Sequence, residues 1–243
     1  MVTDAEVEIV LVHGACHGPW CWEDVIRPLR AAGLHVTAVD LPMTSLVDDA
    51  NVVRRAVARS QRAIRKVLLV GHSYGGVVIT AGGHDADLLM YCAGTMPDAG
   101  QAASDLVPRL LTPELAASLA VIGDGSTFEL DPAAATPAFF NRCTSEQVER
   151  ILPRLRPMHQ ICMDQEVGRP AWREVSSTYV VCSDDFAMAP MYQLECAAQV
   201  GDHIVLDTDH SMFYSATGEF VAHLISVASR LSGQAVPSTP NAG

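Results

Sequence analysis

The chain has 243 residues, 49% apolar and 18% charged, enough apolar material to bury a large core as one domain or one domain with a small insertion. Its net charge is −12 and its 16 Lys and Arg are scattered apart from the pairs Arg54-Arg55 and Arg65-Lys66, which excludes the basic patch of a nucleic-acid-binding surface. No apolar run approaches a membrane span, and Met1-Val2-Thr3-Asp4-Ala5-Glu6 lacks the basic-then-apolar pattern of a signal peptide, so no membrane partner is expected and the cytoplasm is the expected location.

In chain order, Val7-Glu8-Ile9-Val10-Leu11-Val12 is a buried-strand pattern that runs into His13-Gly14-Ala15-Cys16-His17-Gly18. A helix near 20–32, stopped by Gly33, a strand near 35–40 and a helix near 47–64 follow. The next strand, Val67-Leu68-Leu69-Val70, enters Gly71-His72-Ser73-Tyr74-Gly75, and Val77-Val78-Ile79 continues out of it into a helix near 74–82. Strand, Gly-x-Ser-x-Gly turn and helix in succession form a nucleophile elbow: the glycines let the backbone crowd together and push the serine hydroxyl clear of the sheet edge. Ser73 is therefore the candidate nucleophile. The helix beginning after it aims free N–H groups and its positive dipole end at an oxyanion forming there. Gly14 lets the first loop turn so that the Ala15 N–H faces the elbow, and with the Tyr74 N–H it makes a two-donor oxyanion hole.

After a strand near 87–92 the alternation is interrupted over 94–174, which reads as short helices and turns, clearest over 106–119 and 145–155. An insertion there sits over the strand ends and is read as a lid; Phe128, Phe139, Phe140, Met158, Ile161 and Met163 are its large apolar residues, for its own core or for a pocket. Thr178-Tyr179-Val180-Val181-Cys182 is another buried strand, and Asp184 and Asp185 at its end offer a carboxylate to orient an imidazole. A helix near 189–200 and the strand His203-Ile204-Val205-Leu206 lead to Asp207-Thr208-Asp209-His210-Ser211, where His210 is the candidate general base. The last helix falls near 217–231. The division expected is a core of 1–93 and 175–232, a lid of 94–174 and a tail of 233–243 too poor in apolar residues to pack, hence disordered.

HGACHGPWCW at 13–22, GHSYGG at 71–76, FFNRC and RLRP in the middle, YVVCSDDFAMAP at 179–190 and DTDHS at 207–211 together resemble the small α/β-hydrolases that group bacterial esterases with plant methylesterases and hydroxynitrile lyases. The resemblance spans roughly residues 5–232. It implies the α/β-hydrolase fold, here a mainly parallel six-stranded sheet flanked by helices with a helical lid after the fourth strand; with six residues before the first strand, the two leading antiparallel strands of larger relatives are not expected. It implies Ser73, Asp185 and His210 as the triad, in the family's chain order of nucleophile, acid and base, with Ala15 and Tyr74 as oxyanion donors. Asp185 fits better than Asp184 because the family's acid precedes four residues and a Pro, here Pro190.

Lyase members of that family place Thr or Asn after the first His, and some place Lys after the catalytic His. Gly14 and Ser211 stand at those positions here, so a serine esterase acting on small-molecule esters is expected, with Gly14, His17 and Ser211 as substrate contacts. The alternatives are a hydroxynitrile lyase, a thioesterase, or a metabolite-tailoring hydrolase or cyclase on the same triad; from another class, a slow-turnover ligand receptor. No metal or cofactor is expected, since no pair of histidines has metal spacing with a third ligand. His13 and His72 are expected to brace neighbouring loops. The seven cysteines lack CxxC spacing and fit buried reduced thiols.

Overall fold

The computed structural model describes residues 6–233, so the tail expected over 233–243 lies, apart from Gly233, outside the described residues. Among the described residues nine strands and eleven α-helices follow one another along the chain. They run β1 (Val7–Val12), α1 (Glu23–Ala31), β2 (His35–Ala38), α2 (Leu46–Arg62), β3 (Lys66–His72), α3 (Tyr74–Gly82) and β4 (Leu88–Cys92). Then come α4 (Ala103–Leu110), α5 (Pro113–Ser118), β5 (Leu119–Ile122), β6 (Thr127–Leu130), α6 (Pro132–Phe139), α7 (Ser145–Ile151), β7 (Met158–His159) and α8 (Ile161–Asp164). The chain closes with β8 (Ser177–Cys182), α9 (Pro190–Val200), β9 (Asp202–Leu206), α10 (Met212–Ser215) and α11 (Thr217–Ser232).

Six strands form one sheet in the order β2-β1-β3-β4-β8-β9, and every pairing in it is parallel. This is the α/β architecture that short β-branched runs separated by helices require: helices cover both faces, so a central strand such as β1 is buried at every residue. Register then places the site. Val12 sits opposite Gly71, His72 opposite Cys92 and Cys182 opposite Leu206, so the loops after β1, β3, β8 and β9 leave the same edge of the sheet.

The segment between β4 and β8 holds five short helices and an antiparallel sheet of order β5-β6-β7. That sheet departs from the expectation of helices and turns alone. Its hairpin turn is Gly123-Asp124-Gly125, with both glycines at positive φ, a turn signal too short to stand out between four-residue strands. The helical stretch expected over 106–119 is broken at Leu111-Thr112 because Pro113 starts a new helix, with Thr112 capping it through the Leu115 N–H. Arginines tie the segment's far side to the rest of the chain: Arg142 to Asp184 at 2.6 Å, Arg150 to Asp24 at 2.6 Å, Arg154 to Glu23 at 2.7 Å and Arg156 to Asp40 at 2.5 Å.

Candidate active site

Ser73 stands between β3 and α3 at φ 53°, ψ −121°, a conformation a non-glycine residue holds only where its surroundings enforce it. The enforcement is close packing. A Cβ on Gly71 would fall 2.5 Å from the Gly75 carbonyl oxygen, and one on Gly75 would fall 2.6 Å from the carbonyl oxygen of Val12, so any larger residue forces β1, β3 and α3 apart. The Ser73 carbonyl accepts from Gly76 N at 2.9 Å and Thr95 N at 3.1 Å. Tyr74, the first residue of α3, has a backbone N–H with no intrahelical acceptor. Its side chain is pinned: the hydroxyl donates to Asp49 Oδ2 at 2.7 Å, and Asp49 Oδ1 accepts from Met43 N at 2.9 Å. Burial raises the Asp49 carboxyl above the usual range. Asp49 was legible only as an acid sharing the apolar face of α2 with Leu46, Ala50 and Val53.

In the loop after β1, burial depresses His13 to about 3 and His17 to about 4, so both rings are neutral. His13 accepts the Leu41 N–H on Nε2 at 3.1 Å, which leaves its Nδ1–H to donate to the Gly14 carbonyl at 2.9 Å. His17 donates from Nδ1 to the Ala15 carbonyl at 2.8 Å. Both rings therefore shape the loop that carries the Ala15 N–H. Burial also raises the Cys16 thiol to about 12, which keeps it a small apolar filler; six of the seven cysteines are buried and all seven are free.

His210, 1% exposed, holds its Nδ1 2.7 Å from Asp185 Oδ2. Asp185 is buried and fully engaged: Oδ1 accepts the Ala187 and Met188 N–H groups, both at 2.8 Å, and Oδ2 also accepts Gln193 Nε2 at 2.7 Å. Among the described residues His210 Nε2 has no hydrogen-bond partner. His72, held neutral by burial and the neighbouring histidines, donates from Nε2 to the His210 carbonyl at 2.9 Å and so fixes the base loop to β3. Asp184 turns the other way, to Arg142, which also donates to the Asp207 carbonyl at 2.7 Å. Asp209 is buried; its Oδ1 accepts the Ser211 N–H at 3.0 Å and its Oδ2 the Arg142 N–H at 2.8 Å.

Ser73, His210, Ala15 and Tyr74 line one cavity of about 160 Å³. Apart from Thr95, Ser104 and Gln160, the rest of its wall is apolar, and most of it comes from the segment between β4 and β8. Of that segment's large apolar residues, Phe128, Phe139 and Met163 reach the wall. Phe140 and Met158 are buried elsewhere, and Ile161 is exposed. The expected substrate contacts Gly14, His17 and Ser211 do not line this cavity. Gly14 lies beneath the elbow, where a Cβ would come 3.0 Å from Ser73 Cβ; His17 stacks on Trp20 at 5.4 Å; Ser211 is fully buried. Among the described residues no cluster of His, Cys, Asp and Glu is arranged to hold a metal, and no helix is long and apolar enough to cross a membrane.

Residues 9–223 match the family described as the alpha/beta hydrolase family. The chain is 24% identical over 94% of its length to esterase PIR7B of Oryza sativa subsp. japonica, covering 98% of that protein. It is 26% identical over 92% of its length to methylesterase 8 of Arabidopsis thaliana, covering 90% of that protein. Among solved structures, polyneuridine aldehyde esterase superposes with a TM-score of 0.79 at 22% identity, over 92% of this chain and 99% of that one, a likeness of fold.

Proposed function

Starting from a chain that belongs to the alpha/beta hydrolase family, we propose that it is a serine hydrolase that cleaves carboxylic esters of small molecules. Esterase and methylesterase relatives that align over nearly the whole chain support this reading. The observation that carries it is one apolar cavity lined by a strained serine, by Ala15 and Tyr74 and by a carboxylate-held imidazole.

The chemistry is two-step acyl transfer. His210 Nε2 takes the Ser73 proton as the hydroxyl oxygen bonds to the ester carbonyl carbon. The Ala15 and Tyr74 N–H groups hold the oxyanion, and Asp185 stabilises the imidazolium through Nδ1–H without taking its proton. The carbon–oxygen ester bond then breaks, His210 returns the proton to the departing alcohol, and water releases the acid by the same route. The cavity wall carries no Lys, Arg, Asp or Glu, so a charged group entering it loses water and meets no counter-charge. At about 160 Å³ the cavity is close to the ~150 Å³ of an apolar cavity that admits benzene. The substrate part held there is uncharged, apolar and about the size of one phenyl ring.

Cyanohydrin cleavage on the same triad is helped by a cation near the departing cyanide, as in the relatives that place Lys there, and a hydroxyl in place of an ammonium forfeits a charge-assisted bond of roughly 1.5–3 kcal/mol. The wall offers no such cation. The test is hydrolysis of nitrophenyl esters beside mandelonitrile cleavage. Ester turnover that vanishes in Ser73→Ala, with mandelonitrile at background, is the expected result; mandelonitrile cleavage that outpaces ester hydrolysis and depends on Ser73 would assign a lyase.

A further inference from the structure

Gln193 lies on α9, fully buried, and every polar atom of its amide meets a partner that dictates its role. Oε1 accepts the Cys182 backbone N–H at 2.8 Å, from the last residue of β8. Nε2 donates to Asp185 Oδ2 at 2.7 Å and to the Met188 carbonyl at 2.9 Å. A backbone N–H can only donate and a carbonyl can only accept, so the amide has one orientation in this network and cannot flip. Asp185 Oδ2 is also the oxygen that faces His210 Nδ1, so the amide and the imidazole donate to one atom.

We infer that Gln193 is a positioning residue for the proposed reaction: it holds Asp185 Oδ2 against His210 and shares the negative charge that the imidazole sees. The inference rests on the triad reading. With two backbone N–H groups on Oδ1 and the imidazole on Oδ2, the amide completes four donors around a buried carboxylate and fills its acceptor sites. Removing the Nε2–H concentrates charge on Oδ2, which strengthens its hold on a protonated His210. It also frees the carboxylate to rotate about its Cβ–Cγ bond.

The other groups facing this pair are accounted for. His72 on β3 and His17 in the first loop are kept neutral by burial, and the Tyr179 hydroxyl and Cys182 thiol of β8 are kept protonated by it. On the base's own loop, Asp209 is occupied by Ser211, Ser215 and Arg142, and the neighbouring Asp184 faces Arg142. Gln193 is thus the neutral group whose replacement changes what Asp185 presents to His210, and it does not itself line the cavity, which it meets only through the Met188 carbonyl.

The experiment measures the pH dependence of kcat/KM for a nitrophenyl ester in wild type, Gln193→Met and Gln193→Glu, each normalised to active sites counted by fluorophosphonate labelling, beside Asp185→Asn. Gln193→Met keeps the volume and removes the donor: kcat falls about tenfold, KM stays within about twofold, and the acid limb moves up by roughly half to one pH unit. Gln193→Glu sets two carboxyl groups in contact that share one proton, so its profile gains an ionisation that wild type lacks. A merely structural glutamine lowers the amount of folded protein and leaves both profiles superimposed on wild type, and that result overturns the inference. If Asp185→Asn is crippled and the Gln193 profiles do not move, this inference alone falls; if Asp185→Asn keeps full activity, the triad reading falls and takes this one with it.

Discussion

The sheet edge and the segment between β4 and β8 meet at one cavity but are built on opposite principles. At the edge, position comes from backbone: Gly71 and Gly75 admit a carbonyl where a Cβ would sit, and Ser73 is held in a conformation it would not adopt alone. Every charge there that the proposed mechanism uses is buried and hydrogen-bonded, as with Asp185 and its four donors. In the segment over the cavity, position comes from side chains: apolar residues of α4, α5, α6 and β6 make the wall, and exposed arginines secure the far side. Short-range close packing tolerates almost no change, while scattered apolar contacts and solvent-screened ion pairs tolerate a good deal. On the proposed reading, reaction type belongs to the first region and substrate range to the second.

Substitutions break that contrast most sharply at the edge. Ser73→Ala is expected to lower kcat by about 10⁶, the scale of losing the nucleophile from such a triad; fluorophosphonate labelling followed by mass spectrometry should find an adduct on Ser73 in wild type and none in the variant. Adjacent acids sharpen it next. Asp185→Asn should cost on the order of 10⁴ in turnover through the wrong imidazole tautomer, whereas Asp184→Asn, which touches only Arg142 and Asn141, should stay within roughly tenfold. Equal losses in the two variants would mean that the loop after β8 works as a unit and not through one carboxylate.

Stability against pH tests how tightly the edge is closed. Burial holds His13 at about 3 and His17 at about 4, and His72 well below its ordinary value. Because the folded-state values are depressed, the unfolded chain takes up protons first: the stability these rings contribute is intact above about pH 6.5 and is lost as pH falls toward 4. Each ring adds a slope of about 1.4 kcal/mol per pH unit in that window. Urea denaturation at pH 7, 6 and 5 reads it, and a midpoint that does not fall with pH would show that the rings are open to solvent. The smallest effect belongs to the arginine side. Arg154 pairs with both oxygens of Glu23 on the surface, so Arg154→Ala should cost no more than about 1 kcal/mol, and less at high salt. A larger, salt-insensitive loss would point instead to its packing on the Trp20 ring.

What the amino-acid sequence determined by itself is what local pattern controls. Buried β-branched runs and the helices between them set a parallel six-stranded sheet, and the stretch 67–79 set a strand, a turn and a helix around Ser73. These depend on backbone sterics and on burial, which neighbours along the chain report directly. His210 and the Asp184-Asp185 pair could be assigned to strand ends for the same reason. Only the tertiary structure decided which acid faces which partner: Asp185 meets His210 because β8 and β9 are adjacent, and Asp184 meets Arg142 from a segment 42 residues away. It also left Gly14, His17 and Ser211 off the cavity wall, and it bonded Asp49 to the Tyr74 hydroxyl and Gln193 to Asp185. Those placements come from contacts between elements distant in sequence. A polar residue on a buried face looks the same in the chain whether it will anchor a catalytic loop or cap a helix, and its partner is chosen only when the layers pack.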